Sequence, residues 1–390
     1  MKNRYPSSLF PFSNCHRTAI LSAILISSLF ITQNVSADSE DEENALEGTD
    51  ELQGIFVNVV GYESNIFELN YQQENQTGAW YQDSSLQIEN PFQTGNANLA
   101  ATLNASVKTY FGQSQINEYI LKPGLTWHVI DSETETLNLD VRASRFQERI
   151  YNENLQNAPN RSERGWSIGA GGKWEKDVLD QWQLTWTSGS DLQLFDNAFL
   201  NNLKITTKTN FEREIVTNLK WSLGSQFEYQ SYRNRPIDSE SAINPSGLNT
   251  LESRGFTGWS YEFGRTWVAE LEVNGGYNSD LTNGFYNANV LGARMELRWE
   301  STPWKIKVSG EPEWLSFSNR RANLEVANHT LSTQEYNFDI RVDYQWFERL
   351  GIFCQGTGHF QQTNSDLSRG DAALNKFGNQ IISTGISVSF

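Results

Sequence analysis

The chain is short of cysteine, methionine and histidine, and it has no apolar run long enough to cross a membrane as a helix. Its 390 residues include two cysteines, two methionines and four histidines. Cys15 falls in an N-terminal segment that is removed on the reading below, so Cys354 remains alone and no intrachain disulfide is possible. The longest apolar stretch, Ala19–Ile31, falls short of the ~20 residues a spanning helix needs. There is no Gly-x-Ser-x-Gly elbow and no His-Glu-x-x-His zinc pair, and no spacing predicts a cofactor or metal site. Catalytic candidates are few. His128 and His359 sit in alternating segments, and His329, four residues after Glu325, reads as a solvated loop histidine rather than a base at the rim of a hydrolase. Basic residues are scarce as well: 30 Lys and Arg face 47 Asp and Glu, a net charge of −17. Such a surface excludes nucleic acid as a partner, since phosphates require a basic patch.

What is present begins with a short basic leader. Lys2, Arg4 and Arg17 precede the apolar run, and Val35-Ser36-Ala37 follows it, which reads as a secretory signal peptide over residues 1–37. Residues 38–53, opening Asp38-Ser39-Glu40-Asp41-Glu42-Glu43, read as an acidic disordered tail. Low apolar content then combines with 13% aromatic residues and thirteen tryptophans. A soluble enzyme rarely mixes these. A barrel with one lipid-facing side per strand and aromatic girdles at both interfaces does.

From residue 54 onward the periodicity is 2, not 3.6. In Tyr336–Trp346 every other residue is apolar or aromatic, and Asp339, Arg341 and Asp343 fall between them. A charge at mid-depth on a lipid face costs ~2–4 kcal/mol, so these three are expected to face inward. The same sorting puts Arg294, Glu296 and Arg298 opposite Leu291, Ala293, Met295, Leu297 and Trp299. It predicts a lumen lined by Lys108, Lys122, Arg142, Lys204, Lys208, Lys220, Glu270, Glu272, Lys305 and Lys307 as well. Strands three to nine then make a basic wall, facing a largely acidic one from strands ten to fourteen.

Sixteen strands are expected, near 54–63, 79–91, 98–111, 118–130, 136–149, 165–176, 181–195, 201–211, 216–233, 254–263, 267–277, 287–300, 303–318, 334–347, 350–362 and 379–390. Short connections alternate with long polar ones such as 64–78, 150–164, 234–253, 319–333 and 363–378, the asymmetry of a transmembrane barrel over residues 54–390. Trp127, Trp174, Trp182, Trp221, Trp267, Trp299, Trp304 and Trp346 each lie near a short turn in the outward phase and are expected to form one belt. Two features fit less simply. Apolar residues compete for both faces of strands one and two, and Pro123 and Pro312 fall inside strands, where bulges or bends are expected.

The last strand, Gln380–Phe390, alternates Ile382, Thr384, Ile386, Val388 and Phe390 with Ser383, Gly385, Ser387 and Ser389. It resembles the C-terminal strand of bacterial outer-membrane β-barrels, whose terminal Phe helps the barrel assembly machinery recognise its substrate. That resemblance implies outer-membrane lipid as the surroundings and Phe390 as an assembly signal. Gly61-Tyr62-Glu63-Ser64-Asn65-Ile66-Phe67 resembles an early turn in barrels associated with exopolysaccharide export or surface assembly, with weaker echoes at Gly276–Asp280 and Gln362–Asp366. Glu63 stands where Asp is more usual. Two functions remain open: a porin-like channel for small hydrophilic solutes such as saccharides, and an accessory barrel for exopolysaccharide or surface-component export that is not an open pore.

Overall fold

The computed structural model describes residues 52–65, 78–94, 97–150, 161–179, 181–233, 247–282, 284, 286–321, 330–364 and 377–390. The leader, most of the acidic tail, and Glu325 with His329 lie outside the described residues. The strands are β1 (Gln53–Glu63), β2 (Ala79–Thr94), β3 (Ala97–Tyr110), β4 (Glu118–Asp131), β5 (Glu135–Ile150), β6 (Arg161–Leu179), β7 (Trp182–Phe195) and β8 (Asn202–Val216). They continue as β9 (Leu219–Tyr232), β10 (Asn249–Phe263), β11 (Trp267–Asp280), β12 (Ala288–Ser301), β13 (Trp304–Arg321), β14 (Thr330–Phe347), β15 (Leu350–Thr363) and β16 (Phe377–Ser389). Each pairs antiparallel with its sequence neighbours, and β1 pairs with β16, so the sheet is a closed barrel of sixteen strands without an edge.

Alternation explains the shape. Paired residues share a face, so register carries the phase of one strand all round the barrel. Outward positions hold Ile168, Val141 and Ile382, the last 70% exposed, an arrangement that water disfavours and lipid favours. Inward positions hold the charged rows described below. Strand ends differ between the two rims. The rim carrying Gln53 and Phe390 has the short connections (95–96, 132–134, 180–181, 217–218, 264–266, 302–303 and 348–349). The other has the long ones (64–78, 111–117, 151–160, 196–201, 233–248, 281–287, 322–329 and 364–376).

Several local expectations are corrected. β8 runs through Glu212–Ile215 to Val216, and the chain turns at Thr217–Asn218, where Asn218 adopts φ +71°. Asn tolerates that left-handed conformation, whereas the charged run before it keeps strand geometry. Neither proline makes a bulge. On the β5 side of Pro123 the pairs Leu121–Arg145 and Gly124–Arg142 flank a gap with unchanged register. On the β12 side of Pro312, Gly292–Glu313 and Met295–Gly310 do the same. Proline lacks the N–H a ladder rung needs, and here the ladder skips rungs without gaining a residue. Register shifts occur instead beside short turns, at 128–130, 177–179, 214–216 and 345–347, and once at the loop rim, at 316–321 in β13. Gln53 is already paired with Glu89, so β1 starts inside the expected tail.

Candidate functional site: the inner wall

The mixed phase of β1 has a physical cause. Its outward side carries Tyr62, packed on Trp80 with ring centres 5.5 Å apart. Its inward side carries Val59, which packs with Ile381 against Ala79, Tyr81, Tyr110 and Ile116. Ile116 comes from a short 3-10 turn, Ser114–Ile116, in the β3–β4 connection, and is fully buried. An apolar cluster thus sits inside the barrel near the loop rim, and β1 is apolar on both faces because both faces are covered.

Glu63 heads that cluster. Its carboxylate is fully buried and receives Lys108 Nζ at 3.3 Å and Arg149 Nη2 at 3.0 Å. Tyr110 Oη donates to it at 2.7 Å and Asn379 Nδ2 at 2.9 Å. Lys108 lies 4.3 Å from the Tyr81 ring centre and 4.9 Å from that of Tyr110, whose other neighbour is Arg149 at 5.5 Å. Gly61 makes room: a Cβ there would come within 2.6 Å of the Tyr81 ring. The segment Gly61–Asn65 is therefore a strand end and clamp, not a turn. Ser64 N donates to Gln380 O at 2.8 Å, Gln380 N to Ser64 Oγ at 2.8 Å, and Asn65 Nδ2 to Gly378 O at 3.2 Å. These bonds close the β1–β16 seam at the loop rim. Phe390 closes it at the other, where its N and O exchange bonds with Gly54 at 3.0 and 2.8 Å and its ring lies over the space a Gly54 side chain would need. The echo Gly276–Asp280 lies in β11, and Ser365 and Asp366 of the second lie outside the described residues.

Below the clamp the inner wall is open and charged. Register places Arg298, Lys307 and Arg341 in one row across β12, β13 and β14. Glu296 collects three cations: Arg298 and Lys307 at 3.1 Å and Arg294 at 3.3 Å. Arg298 also pairs with Glu270, Arg294 with Glu311 at 3.3 Å, Lys305 with Glu300 at 3.5 Å and Arg341 with Asp343 at 2.7 Å. Glu272 stands opposite Arg294, and Asp339 accepts Gln355 Nε2 at 2.6 Å. A concavity of about 310 Å³ opens between Glu311, Asn337, Asp339, Thr357, His359 and Asn379.

The wall of β3–β9 is not basic. Register adds Glu118, Glu175, Asp177, Asp191 and Glu212 to the lysines' face. Lys204 pairs with Glu228 at 2.7 Å, Lys220 with Glu212 at 3.4 Å, and Arg142 with Asp191 at 2.7 Å and Asp140 at 2.8 Å. Among the described residues Lys122 and Lys208 have no ion pair, and Lys208 lies 4.6 Å from the Phe256 ring centre. Two of these acids, Asp177 and Glu212, lie just beyond the expected strand ends, where they resemble turn residues.

The tryptophans form outward groups. Trp182 meets Trp221 at 5.7 Å, Trp267 meets Trp299 at 6.2 Å, and Trp304 meets Tyr344 at 4.7 Å. Trp127 and Trp174 stand in the same phase, opposite Leu139 and Leu137, and Trp346 stacks on Phe347 in a bulge. Trp80, Trp166 and Trp314 mark the loop rim. A device unforeseen from sequence recurs there. Asn117, Asn201 and Asn287, each just before a strand, accept the backbone N–H of Tyr110, Phe195 and Asp280 at 2.9, 2.7 and 2.7 Å. Asparagine bonds readily to nearby backbone, so Asn ahead of an alternating segment was the available signal.

No family model matches the sequence, and no curated protein is similar to it. Among solved structures the chain is similar to OccAB1 of Acinetobacter baumannii, with a TM-score of 0.52 and 12% identity over 87% of this chain and 97% of that one. OccAB3 of the same organism gives 0.49 and 8%, covering 87% and 99%. The outer membrane protein OpdK of Pseudomonas aeruginosa gives 0.43 and 10%, covering 87% and 99%. The likeness to OccAB1 is one of fold.

Proposed function

We propose that the chain is an outer-membrane channel that passes small hydrophilic solutes by diffusion. The observation carrying this reading is the two-faced closed barrel: almost charge-free outside, with its large apolar side chains exposed there, and lined with rows of charged side chains inside. Barrels of this strand number have a lumen wide enough for water, and rings of charge bias what passes. Residues 1–37 direct export and are cleaved. The short-turn rim faces the periplasm, and Phe390 addresses the chain to the barrel assembly machinery. Saccharides suit a wall this rich in carboxylates, amides and hydroxyls, because such groups replace the hydrogen bonds a sugar leaves in water. The wall supports a passage, not a catalyst. The export-accessory reading loses its main support, since Gly61–Asn65 is accounted for by seam closure.

The test is conductance of the purified barrel in a planar bilayer, with sugar uptake into proteoliposomes alongside. Stepwise conductance and uptake that falls with sugar size are expected. A heat-modifiable barrel that inserts without conducting would overturn the reading in favour of a plugged, accessory role.

A further inference from the structure

The outward face is almost free of charge, and its exceptions are not evenly placed. Following the register, outward charges on the described strands below the loop rim are confined to Glu135, Lys176 and Arg213 near the short turns and Arg145 and Arg164 near the loops. Lys176 is neutralised by Glu135 at 3.1 Å. Arg149, four residues beyond Arg145 in the same phase, is drawn to Glu63 instead. Arg145 and Arg164 have no ion pair among the described residues.

These two arginines sit together. Arg145 pairs across the β5–β6 ladder with Trp166, and Gln147 with Arg164 on the same face. The Arg145 guanidinium lies 4.7 Å from the Trp166 ring centre and donates through Nη1 to Gly165 O at 3.4 Å. Arg164 Nε donates to Gln147 Oε1 at 2.9 Å. The indole and the amide hold both groups in place and leave other N–H donors facing outward. Depth fits too. From Trp174 to Trp166 the outward charge-free run on β6 covers nine residues, the ~9–11 of one tilted crossing, so a pair level with Trp166 at its loop-side end sits at headgroup level. Hydrocarbon would penalise guanidinium there, whereas phosphate accepts its planar fork bidentately. Of the nearby acids, Glu148 and Glu163 lie in the opposite phase of the ladder, and Asp196, whose N donates to Arg164 O at 2.8 Å, follows β7.

We propose that Arg145 and Arg164, steadied by Trp166 and Gln147, form a lipid-facing site for the phosphate of a headgroup in the outer leaflet. The site rests on the membrane placement above but not on conduction. It tethers the β5–β6 hairpin, the one that supplies Arg149 to the clamp, to its surrounding lipid.

The test follows the heat-modifiability midpoint of the folded barrel in zwitterionic detergent. Added ligands are diphosphorylated lipid A, the same lipid dephosphorylated, and inorganic phosphate. The phosphorylated lipid is expected to raise the midpoint by several degrees and the other two to leave it unmoved. Arg145→Gln with Arg164→Gln should lose most of that rise, Arg213→Gln should keep it, and Asp196→Asn should enlarge it. An undiminished rise in the double variant, or an equal rise with dephosphorylated lipid, overturns the proposal; so does an equal rise with inorganic phosphate, which would mean a free-ion site. If the double variant does not fold, native mass spectrometry of the wild-type barrel and of Arg164→Gln decides. Phosphorylated lipid retained by the first and lost by the second supports the site, and equal retention sinks it. Conductance of the same samples separates this outcome from a failed channel reading.

Discussion

Two carboxylates on the inner wall gather cations in the same way and do different work. Glu63, at the loop rim, binds Lys108 and Arg149 under a roof of Tyr81 and Tyr110, and its cations are 20% and 9% exposed. Glu296, on the open wall, binds Arg294, Arg298 and Lys307, and those cations are 53%, 39% and 41% exposed. Both carboxylates are themselves nearly inaccessible, so burial of the acid does not distinguish them. What covers the cations does. A dry pair is an all-or-nothing contact whose loss strands a charge, whereas cations open to water keep much of their hydration and project a field into the lumen.

The largest expected effect tests the dry side. Glu63→Gln removes the carboxylate that Lys108 and Arg149 share, and breaking one side of a buried pair costs about 3–5 kcal/mol. The heat-modifiability midpoint should drop sharply and the β1–β16 seam should become protease-sensitive near Asn65. An unchanged midpoint would mean that the clamp does not hold the rim. Tyr110→Phe is milder. It removes one hydrogen bond to a charged group, worth about 1.5–3 kcal/mol, and keeps the ring against Lys108.

Glu296→Gln tests the wet side. The midpoint should move little, because its three cations remain solvated and two of them keep other acids: Glu270 for Arg298 and Glu311 for Arg294. The reversal potential in a salt gradient should shift towards anions. A large loss of stability with unaltered selectivity would erase the distinction between the two sites. Lys208→Gln should shift selectivity the opposite way and by less, since a single lysine resting on Phe256 is neutralised rather than the hub of a cluster. Lys204→Glu, which sets a second acid beside Glu228, should shift it likewise.

How far each side was legible follows from the same physics. Strand count and phase could be read because lipid keeps charge off the outward face at mid-depth. Asp339, Arg341 and Asp343 had only one side to go to. Above the lipid that constraint ends. Both faces of a strand are then polar, which is why Arg161–Arg164, Asn249–Ser253 and Thr330–Thr333 read as loop and are strand. The clamp was hidden for another reason. Glu63, Lys108, Arg149 and Asn379 are far apart in sequence, and only closure of the barrel brings them together. Its one trace was the conflict of phase in β1, which reports a second covered face. The balance of charge on the β3–β9 wall was misread in part because Asp177 and Glu212 sit beside turns, where acids look like ordinary turn residues.

Salt gives the finest test of the comparison. The screening length falls from ~10 Å at 0.1 M to ~3 Å at 1 M, and screening acts on charges that ions can approach. Around Glu296 they can, since Arg294 and Lys307 face the lumen with about half their surface open. Around Glu63 they cannot, since the acid is enclosed by Tyr81, Tyr110 and Asn379. The selectivity change of Glu296→Gln should therefore fade as salt rises to 1 M, while the midpoint loss of Glu63→Gln should persist. If the Glu63→Gln loss fades in parallel, ions reach the clamp, and the rim is as wet as the wall below it. If the Glu296→Gln shift persists at 1 M, those cations act at contact with the passing solute rather than through a field across the lumen.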